Sequence, residues 1–172
     1  MTNTKAKIWN TTFIMKTENS RHINYHSDRE ILAYADEYQD FIKVERNQAP
    51  EYLYFDLYDL KEKYKNSLPD IFKVQDAVIV ISQKLHDLLQ NFDLGETLLF
   101  EIPLYEYNQK DRRPGTYYIL HIVEKKTAFV PEASKGVVEY PVGGIWKPNI
   151  KDDILAVQNQ LPRVSICGLM RI

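Results

Sequence analysis

Four histidines, a single cysteine and scattered carboxylates are the groups in this 172-residue chain that bond-making chemistry would draw on. His22 and His26 stand four apart, a spacing that would set two metal ligands on one side of a helix. Ser20-Arg21-His22-Ile23-Asn24-Tyr25 has no helical pattern, however, and no third ligand lies near. His86 borders a leucine stripe, and His121 falls within a strand-like segment. As a general base His121 would need a nucleophile in hydrogen-bond reach, and the sequence shows none. Cys167 lies in the apolar stretch Val164-Ser165-Ile166-Cys167 beside Gly168. Activating its thiol would take a neighbouring cation or base, so it reads as an inert buried residue. Asp56 and Glu101 would form an acid–base couple only if two strands brought them together. Phosphate-cradling glycine loops, Gly-x-Ser-x-Gly and His-Glu-x-x-His are all absent, and Gly143-Gly144 alone makes no motif. The residues therefore point to no catalyst, no metal and no cofactor.

The tyrosines point elsewhere. There are twelve, among them Tyr52, Tyr54, Tyr58, Tyr105, Tyr107, Tyr117 and Tyr118. Tyrosine buries a large ring yet keeps a polar tip, which enriches it at protein interfaces. Strands also favour it, so packing on a sheet is the plainer expectation.

The stretch that would position these groups runs from Ser67 to Val123, the core of a unit spanning 67–125. Ala77 to Ile81 is a β-branched run suited to a strand buried on both faces. Ser82 is placed to cap a helix starting at Gln83. Leu85, Leu88, Leu89 and Phe92 recur at helical spacing, and Gly95 is the expected stop. The period then changes to two. Phe100, Ile102 and Leu104 share one face, while Glu101, Pro103 and Tyr105 share the other. Pro103 cannot donate a ladder hydrogen bond, so this strand belongs at an edge or carries a bulge. Asn108 to Gly115 reads as an exposed turn and Tyr117 to Glu124 as the returning strand.

Around this unit, Lys7 to Lys16 reads as a first strand. Ser27-Asp28-Arg29-Glu30 fits a capping box opening a helix whose buried face is Ile31, Tyr34, Ala35, Tyr38, Phe41 and Ile42, fraying near Glu45. Tyr52 to Tyr58 reads as an aromatic strand and Asp59 to Asn66 as a short charged helix. Ala128 to Gly144 is a Pro- and Gly-bearing excursion. A short helix over Asp152 to Gln158 and a last strand, Val164 to Cys167, follow. The expectation is a single α+β domain over 1–172, with a mixed, mostly antiparallel sheet and a few short helices packed on one face.

The totals narrow the function. Hydrophobic residues at 44% and charged residues at 27% describe an ordinary globular chain with enough length for a core. A net charge of -2 does not suit a nucleic-acid-binding domain. A lone cysteine provides no disulfide framework, no apolar run follows the N-terminus, and none is long enough to span a membrane. A cytoplasmic protein with neither nucleic-acid nor membrane partner is expected. Charge is uneven, however. Asp28 to Glu62 carries ten acidic and four basic residues, a balance of -6. Tyr107 to Lys126 carries five basic and two acidic, a balance of +3. Solvated surface accounts for both, but an acidic face would also steer a basic partner.

One resemblance adds to this. Leu68-Pro69-Asp70-Ile71-Phe72, then Val80-Ile81-Ser82 with Leu85, Leu88 and Leu89, then Phe100, Pro103-Leu104 and Tyr117-Tyr118 with Leu120 and Ile122, follow a recognisable order. That order resembles the immunity proteins of bacterial polymorphic toxin systems, family eleven, with family forty-three as a near relative. The resemblance implies an intracellular inhibitor that binds a cognate toxin by occlusion or an allosteric clamp, without catalytic residues. Interface candidates are then the acidic helix, Asp36, Glu37 and Asp40, and the hairpin end, Tyr105, Tyr107, Arg112 and Arg113. The alternatives are a small enzyme gathering His121 or Cys167 with a carboxylate, and a self-assembling adaptor or phage protein forming a homo-oligomer.

Overall fold

A computed structural model describes residues 20–26, 31–56, 68–123, 130–139 and 146–147. The expected strands at Lys7–Lys16 and Val164–Cys167, the capping box at Ser27–Glu30, the helices at Asp59–Asn66 and Asp152–Gln158, and Cys167 itself lie outside the described residues.

The architecture is α+β with mostly antiparallel strands, divided between two sheets. Strands β1 (Ile23–His26), β2 (Tyr52–Phe55) and β6 (Leu104–Tyr105) make the first, in the order β1-β2-β6. Strands β3 (Ile71–Lys73), β4 (Ile79–Ser82), β5 (Leu98–Ile102) and β7 (Tyr117–His121) make the second, in the order β3-β4-β7-β5. Among the described strand pairs of these two sheets, β2–β6 is the parallel one. A short ribbon pairs β8 (Val138–Glu139) with β9 (Trp146–Lys147), so the expected irregular excursion contains a strand.

Pro103 explains how one core serves both sheets. β5 is an edge strand, and the chain leaves it at Ile102 to enter the first sheet at Leu104. Proline has no N–H to contribute, and the Pro103 carbonyl accepts from the Leu53 N–H at 2.9 Å. A second corner lies ahead of β1, where Ser20 bridges to Lys73 of β3 before Ile23–His26 pairs with β2. Strands that change sheets in this way let two sheets wrap round a shared interior. Ile23, Leu53 and Leu104 meet Phe72, Val80, Ile102 and Ile119 there, every one nearly inaccessible to solvent. Alternation sends Ile79, Ile81 and Leu120 to the other face of the second sheet, where they form a smaller cluster.

Among the described residues two α-helices pack on this frame, α1 (Ile31–Gln39) and α2 (Gln83–Leu89). Ser82 caps α2 as expected, its hydroxyl accepting from the Leu85 N–H at 3.3 Å. The same hydroxyl donates to Asp70 at 2.8 Å, and Asp70 also accepts from Lys84 at 2.8 Å. The Lys84 ammonium, and then the Ser82 hydroxyl, hold the Asp70 carboxyl below its usual range. Asp70 and Ser82, two of the residues behind the resemblance, thus join in one helix-start network. Ser82→Ala is expected to cost about 1 kcal/mol in urea unfolding, most of it the lost cap.

Three boundaries differ from the sequence reading. β4 starts at Ile79, because Asp76 (φ 54°) and Ala77 (φ 61°) turn the chain into a β3–β4 hairpin and leave Ala77 exposed. α2 ends at Leu89, well before Gly95, which takes φ 60° in the following turn. Leu85 and Leu89 reach the outer cluster, but Leu88 and Phe92 are 56% and 45% exposed. α1 ends at Gln39, with Phe41 in the left-handed region at φ 62°. There the Ile42 N–H donates to the Glu37 carbonyl and the Phe41 N–H to that of Tyr38, the pairing of a Schellman turn. The helix stripe therefore closes at Tyr38, and Ile42 points to solvent.

Candidate functional site

The outer face of the first sheet is aromatic. Strand alternation turns Ile23, Tyr25, Leu53 and Phe55 inward and His26, Tyr52, Tyr54 and Tyr105 outward. Register then makes these outer residues cross-strand neighbours: His26 faces Tyr52, and Tyr54 faces Tyr105. Tyr52 is the hub. Its ring stacks on His26 at 4.7 Å, meets Tyr105 edge-on at 5.3 Å, and tilts against Tyr54 at 6.2 Å. All four remain partly accessible.

The hairpin after β6 flanks this platform. The Tyr52 hydroxyl donates to the Gln109 side-chain oxygen at 3.0 Å. The Asn108 side chain accepts from the backbone N–H of Lys110 and Asp111 and donates to the Asp111 carboxylate at 2.8 Å. Gln109 takes φ 56°, and the Arg113 N–H returns to the Leu104 carbonyl at 2.8 Å. The loop is thus tied to itself and to the platform. Tyr107 projects from it, 45% exposed, beside exposed Arg112. Arg113 is otherwise engaged: its guanidinium lies 4.7 Å over the Phe55 ring and 3.5 Å from Glu106, closing the core at this end.

The seven interface candidates separate into two groups. Tyr105, Tyr107 and Arg112 gather at the platform with Arg113 behind them. Asp36 is exposed and Glu37 half-buried on α1, and Asp40 is exposed in the turn just past it; the helix is fastened near the far end of β7 through Leu120 and His121. Sequence patterning leaves Tyr52, Tyr54 and His26 out of the candidate set. The signal was the Tyr-Leu-Tyr-Phe alternation, which puts both tyrosines opposite the core residues.

The proposed chemical pairings look different in space. His26 is drawn into the Tyr52 stack, and His22 lies ahead of it with its carbonyl accepting from the Asp56 N–H. Extended chain separates such residues by roughly 13 Å, too far to share an ion. Among the described residues no cluster of three or more histidine, cysteine or carboxylate side chains has metal-binding spacing. Asp56 accepts from Asn24 at 3.3 Å, and Glu101 lies exposed on the edge strand of the other sheet. His121 is buried, with both ring nitrogens engaged by Tyr34 and the Ile42 carbonyl. His86 stacks on Tyr118 at 3.9 Å and contacts Asp87 at 3.0 Å, an arrangement within one helix turn and its sheet.

The chain matches no family model, and comparison with curated proteins and with solved structures returns no significant match. Among the described residues no helix is long and apolar enough to cross a membrane.

Proposed function

We propose that this chain is an immunity-like protein that binds a cognate bacterial toxin and neutralises it by occlusion, performing no chemistry of its own. The observation that carries this reading is the aromatic platform of His26, Tyr52, Tyr54 and Tyr105, rigidly braced yet accessible. Tyrosines held by one another lose little entropy on binding, which is how such residues become interface anchors. Tyr107 and Arg112 extend the surface, and the acidic α1 steers the approach of a basic toxin. The toxin-system resemblance over Leu68–Ile122 supports the same reading.

The test is co-expression with the toxin gene beside this one. Growth is rescued and a complex elutes if the reading is right. Persistent toxicity with no complex at micromolar concentrations removes it.

A further inference from the structure

His121 occupies a fully buried position at the end of β7 where α1 and the segment after it converge. Its tautomer follows from its partners. Nε2 lies 2.7 Å from the Ile42 carbonyl, which can only accept, so Nε2 carries the hydrogen. Nδ1 is then a bare lone pair, and the Tyr34 hydroxyl donates to it at 3.2 Å. The neutral ring thereby ties β7 to α1 through Tyr34 and to the Schellman turn through Ile42. Ile42 directly follows the left-handed Phe41.

A second tie does not involve titration near neutrality. The Tyr38 hydroxyl donates to the Leu120 carbonyl at 3.0 Å and accepts from the Ile79 N–H at 2.9 Å. Tyr34 and Tyr38 are both pushed above the usual tyrosine range by burial, so they stay protonated.

We propose that His121 is an acid-sensitive latch: the neutral imidazole holds α1 and its C-terminal turn on the sheet, and protonation lets them go. A proton on Nδ1 turns the Tyr34 contact into two donors facing each other, and Tyr34 must reverse its hydroxyl to accept. It also puts a charge in an interior lined by Tyr34, Tyr38 and the edge of Phe100, whose ring centre is 6.1 Å away. From α1, Glu37 contributes an opposing charge felt by the ring. Arg46, beyond the turn, sets its guanidinium 5.9 Å over Phe100 and adds positive charge near Tyr34.

Burial holds the His121 pKa below its ordinary 6.5, partly offset by the Ile42 bond and Glu37. The sign follows. Unfolded chains bind this proton near 6.5, and the folded chain binds it lower. The stability supplied by the neutral ring is complete above 6.5 and is lost as pH falls through the folded value. Free carboxylates titrate about two units below free histidine, and the His121→Phe variant separates their contribution to any acid response from that of His121. The latch is independent of the toxin reading.

Hydrogen exchange on the full chain, corrected for intrinsic rates and run beside an NMR titration of the His121 ring, tests it. Protection of the α1 amides should fall about tenfold or more through the His121 midpoint while β5 and β7 stay protected. Glu37→Gln should move that midpoint to lower pH, and His121→Phe should flatten the response. The proposal fails if the ring titrates while α1 protection is unchanged. It fails equally if α1 and β7 lose protection in one step, or if the step survives in His121→Phe.

Discussion

Phe72→Ala is expected to destabilise the protein by about 3–5 kcal/mol, a large part of what a domain of this size has to spare. Phe72 is the middle residue of β3, has no solvent exposure, and sits opposite Val80. Its ring meets Tyr117 edge-on at 6.1 Å, and the shared core of both sheets surrounds it. Truncation removes the transfer free energy of the ring and leaves a cavity between two sheets tied at their corners, which cannot easily close. Urea unfolding should show a lower midpoint at unchanged slope. Leu88→Ala is the control. At 56% exposure it should change stability by no more than about 0.5 kcal/mol. A cost at Phe72 below about 1 kcal/mol would mean that the interior is not packed as described.

Leu88 also shows where sequence reading stops. The periodicity of Leu85, Leu88, Leu89 and Phe92 is real, but periodicity tells which residues share a face, not how long the helix lasts or how much sheet lies beneath it. α2 has only seven residues: Leu85 and Leu89 reach the sheet, Leu88 faces solvent, and Phe92 lies beyond the helix end. Signals with a local cause fared better. Ser82 caps α2, Pro103 sits where an edge strand leaves its sheet, and the alternation through Phe100, Ile102 and Leu104 holds across that corner. The hairpin at Asp76-Ala77 and the helix stop at Phe41 carry no glycine, so their left-handed residues leave little trace in composition. The platform was half legible. Tyr52 and Tyr54 alternate with core residues, but that His26 and Tyr105 flank them depends on β1 pairing from one side and β6 from the other, long-range contacts with no local signature.

If the chain binds a toxin as proposed, Tyr52→Ala is expected to weaken that binding by about 2 kcal/mol or more, roughly thirtyfold, and to abolish rescue in co-expression. Tyr52 touches every other member of the platform and also holds Gln109, so its loss removes both an anchor and the brace on its neighbours. The effect should appear as faster dissociation, because the contact forms after encounter. Tyr52→Phe separates the two contributions: it keeps the ring stack and gives up only the Gln109 bond, so most of the affinity should remain. Asp36→Asn with Asp40→Asn should behave differently. Those carboxylates are exposed on α1 and in the turn that follows it, and removing them should slow association and flatten its salt dependence while leaving dissociation nearly untouched. Surface plasmon resonance at two ionic strengths resolves these signatures. If Tyr52→Ala dissociates at the wild-type rate while the folded chain keeps its unfolding midpoint, the outer face of the first sheet is not where the toxin sits.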